Sequence, residues 1–238
     1  MAHLAQINPS ARLTSPFLRD PKEIKRVGII LITADKGLCG GLNTNAVKLF
    51  NEKLREYTSH GVEVEVSTLG QKGLVAAKRL KTNLVSSAVG LGDIPKMEKL
   101  IGPLTGIFRG FYEQKLDAVY VIYSQFVNTM KQQPIFEQIL PLSDRDLKLD
   151  SKMPWDYLYE PSAEEVLDQL VRRYIESVIY QCVADNMAAE QAARMIAMRS
   201  ATDNAGEAIH ELSLAYNKSR QAAITKELSE ICSGAAAV

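Results

Sequence analysis

The sequence predicts an α/β protein: an open Rossmann-like sheet domain followed by one very long C-terminal helix. Three observations carry this. Apolar runs suited to buried strands alternate with helical patterns through residues 19–161, the order that builds a largely parallel sheet with helices on its faces. After Pro161 there is no further proline, and the only glycines are Gly206 and Gly234, so residues 162–233 read as unbroken helix. Such a helix would run on the order of 100 Å. The body before it, folded compactly, would be only about 40 Å across. The helix therefore has to leave the body that carries it. A rod of this kind suits transmitting force or spanning a partner better than it suits chemistry.

Within the body, Lys25-Arg26 leads into the continuous apolar run Val27-Gly28-Ile29-Ile30-Leu31-Ile32, which suits a strand buried on both faces. Residues 43–60 follow with helical spacing (Val47, Phe50, Leu54, Tyr57) and stop at Gly61. Val62, Val64 and Val66 alternate with Glu63 and Glu65, which predicts a half-buried strand. A short helix over 73–80, a strand over 83–89, a helix over 96–114 despite Pro103, and a Val/Tyr-rich strand over 118–126 come next. Residues 134–142 form the last strand, placed at a sheet edge because proline is tolerated at the start of such a strand. No internal repeat or low-complexity segment is present.

Composition removes several function classes. The 28 basic residues balance the 28 acidic ones, so no strong field draws the chain to nucleic acid or anionic lipid. The longest purely aliphatic stretch, 29–32, is far too short to cross a membrane, and no signal-like segment opens the sequence. Cys39, Cys182 and Cys232 are odd in number and far apart, which argues against a disulfide framework or a zinc site.

Residues 33–43, Thr-Ala-Asp-Lys-Gly-Leu-Cys-Gly-Gly-Leu-Asn, sit between the first strand and the first helix, where α/β folds bind ligands. A phosphate loop would need Gly-Lys-Ser/Thr at its end, and a dinucleotide loop needs Gly-x-Gly-x-x-Gly. Gly37, Gly40 and Gly41 satisfy neither, so a tight structural turn is the expectation. Asp35 and Asp93 are expected to cap loops. His3, His60 and His210 show no metal spacing, and no nucleophile cluster stands out. No catalytic residue, cofactor or metal is predicted.

The long helix has two halves. In the first, Val166, Leu170, Tyr174, Val178 and Cys182 run beside Leu167, Val171, Ile175, Ile179 and Val183, a broad face for docking on the body. In the second, Met198, Ala201, Ala205, Ala208, Leu212, Ala215, Ser219 and Ala222 alternate spacings of three and four. That is a coiled-coil seam built mostly of alanine, which brings two helices close together.

Several stretches closely resemble the gamma subunit of the bacterial F-type ATP synthase. They are the Asp35-Lys36-Gly37-Leu38-Cys39-Gly40-Gly41-Leu42-Asn43 loop, the Trp155-Asp156-Tyr157-Leu158-Tyr159-Glu160-Pro161 lead-in, and Glu190-Gln191-Ala192-Ala193-Arg194-Met195. The ending Ile224-Thr225-Lys226-Glu227-Leu228-Ser229-Glu230-Ile231-Cys232-Ser233-Gly234 fits as well, and the resemblance covers nearly everything from Arg19 onward. It implies a rotor shaft, with the long helix as half of an antiparallel coiled coil standing inside the alpha and beta subunits. The α/β body would lie near the epsilon subunit and the membrane c-ring. Turning of the ring would then drive ATP synthesis in the beta subunits. The resemblance further implies a non-catalytic subunit, peripheral on the cytoplasmic side of the bacterial inner membrane, with no direct membrane insertion and no nucleic-acid partner.

Carried over residue by residue, Arg194, Arg220, Gln221, Thr225 and Glu230 match positions that meet alpha and beta subunits, and Tyr157 and Glu160 match the foot facing the c-ring. Members of that family carry a further N-terminal helix. Residues Met1-Ala2-His3-Leu4-Ala5-Gln6 resemble its tail, so half of the shaft is expected to be missing. On that reading residues 1–18 are a remnant of the helix and a linker, 19–161 the body, and 162–238 the shaft helix and tail. The seam would then lack its partner, and the distal helix should fray or self-associate. The alternative is a truncated, non-rotary gamma-like interaction protein. A nucleotide-binding α/β enzyme with a helical extension is the remaining possibility.

Overall fold

A computed structural model describes residues 17, 23–92, 97–142 and 159–235. Its strands are β1 (Arg26–Ile32), β2 (Glu63–Leu69), β3 (Asn83–Ala88), β4 (Ala118–Phe126) and β5 (Gln132–Leu140). Its helices are α1 (Leu42–Ser59), α2 (Gln71–Arg79), α3 (Met97–Tyr112) and α4 (Ala163–Ala235). The strands form one sheet in the order β3-β2-β1-β4-β5. All neighbours are parallel except β4 and β5, which pair antiparallel as consecutive strands. This is the predicted α/β architecture followed by a single helix of 73 residues.

The sheet buries both faces, which is why β1 could be almost wholly apolar. Ile29, Leu31, Val66 and Ile122 face Phe50 of α1 and Ala77 of α2. On the other face Ile30, Ile32, Val119 and Val121 meet Leu104 and Ile107 of α3 and the docked stretch of α4. Gly28 marks the close approach of α3, since a methyl group there would lie 3.0 Å from Ile107 and 3.1 Å from Leu116.

Two details depart from the sequence expectation. Only the first half of β2 is half-buried; Val66 through Leu69 are fully covered, because β2 lies inside the sheet and its last residues run under helices on both sides. Strand β5 begins at Gln132, so Pro134 lies inside it, opposite Ser124, and is tolerated there because β5 is an edge. The start of α4 follows the sequence expectation. Ser162 caps it: its Oγ accepts the Glu165 N–H at 3.2 Å, and its carbonyl accepts the Val166 N–H at 3.1 Å.

The chain divides into two compact units between Arg194 and Met195. In the first, α4 buries Leu167, Val171, Ile175, Ile179, Cys182 and Val183. The neighbouring row is less engaged: Val166 and Val178 pack at the margin, while Leu170 and Tyr174 are 42% and 36% exposed. The docking face is thus one row narrower than its apolar pattern suggests. In the second unit every residue from Met198 to Ala235 is exposed.

Candidate functional site

The turn after β1 is held by its own polar atoms. Thr33 donates its N–H to the Leu69 carbonyl at 2.8 Å, and its Oγ1 accepts the Gly73 N–H at 2.7 Å. Asp35 accepts two backbone N–H groups, from Gln71 at 2.9 Å and from Leu91 at 3.0 Å. One carboxylate thereby ties together the segments that follow β1, β2 and β3. Asn43 Oδ1 accepts the Ala34 N–H at 3.0 Å, and its Nδ2 lies 3.1 Å from Cys39 Sγ. Cys39 is buried with Ala34 and Leu42 against Ala189 and Ala193 of α4. At Gly70, φ is +101° and a methyl group would meet the Thr33 carbonyl oxygen at 2.1 Å. The glycine-rich stretch is a packed turn, as the sequence predicts, and Asp35 caps it. Asp93 lies outside the described residues.

The strand order reverses between β1 and β4, the position where open α/β sheets hold ligands. Here α4 crosses that crevice. Asn186, on the buried face of α4, accepts the Ser124 N–H of β4 through Oδ1 at 3.1 Å. What remains is a recess of about 240 Å³ lined by Thr33, Asp35, Gly90, Asn186 and Glu190 among others. The free N–H at the start of α2 that could have met a phosphate already binds Asp35. Sequence reasoning missed Asn186; its signal was a lone amide continuing the apolar row through Ile175, Ile179 and Val183.

Shifted titrations follow packing and pairing. Burial, with the Glu137 and Asp185 carboxylates nearby, pushes the Cys182 thiol up to about 12. Burial also raises the Tyr123 hydroxyl, helped by Cys182 and by Glu137, to which it donates at 3.3 Å. Tyr57 is raised by burial and by its neighbour Tyr120. Lys115 and Arg109 hold Glu113 below the usual carboxylate range, and Lys53 does the same for Glu56. Among the described residues no group of three His, Cys, Asp or Glu could hold a metal, and no helix is long and apolar enough to cross a membrane.

The α4 positions that the resemblance marks fall into two settings. Arg194 is half-buried and engaged within its own helix, paired with Glu190 and donating to Gln191 at 3.2 Å. Arg220, Gln221, Thr225 and Glu230 are exposed, with Glu230 3.8 Å from Lys226. Glu160 is exposed, and Tyr157 lies outside the described residues. Along the seam Met198, Ala201, Ala205, Ala208, Leu212 and Ala215 are all exposed, flanked by bare Ile209 and Tyr216.

A family model described as ATP synthase matches residues 1–238. The chain is 61% identical over 238 residues to the ATP synthase gamma chain of Chromobacterium violaceum, covering 100% of this chain and 82% of that relative. It belongs to the ATP synthase gamma-chain family. The gamma chain of Laribacter hongkongensis is 54% identical with the same coverage, and that of Neisseria meningitidis is 56% identical over 241 residues. Among solved structures, a chain of the Euglena gracilis mitochondrial ATP synthase (OSCP, F1 and c-ring, rotational state 3) superposes with a TM-score of 0.68 at 20% identity. That match covers 99% of this gamma-family chain and 85% of the other. A chain from the central stalk and c-ring of the Tetrahymena thermophila enzyme gives 0.61 at 22% identity, covering 83% and 87%. These two matches show a shared fold.

Proposed function

We propose that this chain is the central-stalk rotor subunit of a proton-translocating ATP synthase, coupling ring rotation to ATP synthesis in the beta subunits. The observation that carries this reading is α4, rooted in a sheet domain over its first turns and bare from Met198 onward, in a chain of the gamma family. Torque needs a rigid root, and the row from Leu167 to Val183 supplies one by burying large side chains against α3 and the sheet. The bare half would face the alpha and beta subunits, with Arg194, Arg220, Gln221, Thr225 and Glu230 as contact points. Glu160 and Tyr157 would lie at the foot by the c-ring, with the epsilon subunit against the body. Catalysis would rest with the beta subunits, and this subunit would be a peripheral part of the membrane-bound complex, on the cytoplasmic side of the bacterial inner membrane.

The test is assembly with the cognate alpha and beta subunits followed by ATP-driven proton pumping. Gln221→Leu removes a polar contact worth about 0.5–1.5 kcal/mol and should weaken coupling. Asp203→Ala, off the proposed contacts, should not. A chain that fails to co-purify with alpha and beta subunits would refute the rotor reading, and equal, negligible effects of both substitutions would refute the contact residues.

A further inference from the structure

Among the described residues, the last buried side chains of α4 are alanines: Ala189, Ala192 and Ala193. Ala189 and Ala193 lie one helical turn apart and pack on Ala34 and Cys39 of the turn after β1 and on Leu42 at the start of α1. Small side chains on α4 let helix and turn approach closely, so one methyl group fits at each position and a branched side chain does not. Cys39, itself 2% exposed, is fixed in this contact by Asn43. The Asn43 Nδ2 donates to Cys39 Sγ at 3.1 Å, while its Oδ1 accepts the Ala34 N–H at 3.0 Å. One amide thereby holds both turn residues that face α4.

The turn is also tied to the rest of the sheet. Thr33 binds the Leu69 carbonyl at the end of β2, and Asp35 binds the N–H groups of Gln71 and Leu91, after β2 and β3. Three residues back along α4, Asn186 accepts the Ser124 N–H of β4. The stretch 186–193 is therefore linked, directly or through the turn, to β1, β2, β3 and β4. The row from Leu167 to Val183 rests on apolar packing, which is non-directional and resists sliding or rolling of a helix less than directed bonds do. A load on a partly docked helix peels it from the edge of the contact inward, so the last buried turn carries the most. We propose that residues 33–43 form a clamp that fixes α4 at the end of its docked stretch, with Asn43 and Cys39 as its positioning residues. The use of the clamp rests on the rotor reading: torque passing between α4 and the sheet crosses this contact, and a slack clamp lets the helix slip against the body.

The clamp carries its own reporter. Cys39 and Cys182 are both buried, but only Cys39 lies in the clamp, while Cys182 sits in the docked row. The experiment labels the full chain with a maleimide and maps the modified cysteines by mass spectrometry over time. Ala193→Leu wedges the contact apart and should speed labelling of Cys39 about tenfold, with Cys182 at the parent's rate. Ala193→Ser, close to alanine in volume, should label like the parent. Asn43→Ala reaches the clamp from the turn side, leaves α4 untouched, and should also expose Cys39 selectively. Cys39 labelling unchanged in both Ala193→Leu and Asn43→Ala, or Cys182 accelerated as much as Cys39, would overturn the clamp. Its use is read in the complex assembled with cognate subunits, where Ala193→Leu should lose proton pumping per ATP hydrolysed and Ala193→Ser should not. An unchanged ratio for Ala193→Leu would overturn the torque role. A parent chain that does not assemble at all refutes the rotor reading, and the labelling of the free chain still decides the clamp.

Discussion

Among the described residues of α4, Asn186 is the buried polar side chain on the docked row, and it meets a buried backbone donor, the N–H of Ser124. Replacing it with alanine strands that donor. Leaving a buried N–H unsatisfied costs about 1–3 kcal/mol, and the lost side-chain volume adds to this. Replacing it with leucine fills the space and continues the apolar row but strands the same donor. If the hydrogen bond is what counts, both variants lose about 2 kcal/mol, and in urea the midpoint falls by about 1 M for a slope near 2 kcal/mol/M. Tyrosine fluorescence reads the body without being dominated by the helical signal of α4. A leucine variant as stable as the parent, or more so, would refute the reasoning, because Asn186 would then be a tolerated polar residue at a site that prefers hydrocarbon.

Gly70→Ala forces a side chain into φ +101° and against the Thr33 carbonyl, so soluble yield or unfolding midpoint should drop by the equivalent of at least about 3 kcal/mol. Asp35→Ala frees the N–H groups of Gln71 and Leu91, and hydrogen exchange should accelerate at both amides while α1 is unaffected. Cys182 keeps its proton longer when folded than its ordinary value of 9.0, up to about 12. Its contribution to stability is therefore complete below pH 9 and is lost as pH rises toward 12. Urea midpoints measured from pH 8 to 11 should fall less steeply for Cys182→Ala than for the parent, and identical slopes would contradict this.

The architecture was legible in the sequence because its signals are local. An aliphatic run such as 27–32 suits a strand covered on both faces, and residues 162–233, with no proline and only Gly206 as glycine, continue as helix. The small-residue stripe from Met198 to Ala222 is visible for the same reason: helical periodicity needs no tertiary context. What lay hidden depends on which elements become neighbours. The alternation of valine and glutamate suggested a half-solvated strand, but the sheet order put β2 inside, and its later residues were covered from both sides. Leu170 and Tyr174 repeat like core residues yet stay partly exposed, because the row from Leu167 to Val183 is the one that faces the sheet and α3. The spacing of Gly37, Gly40 and Gly41 already favours a packed turn over a ligand loop, but not what packs there. Only the fold brought Asp35 onto the donors of two other segments and laid Asn186 across the switch-point crevice, pairings over 36 to 62 residues of chain that no local pattern encodes.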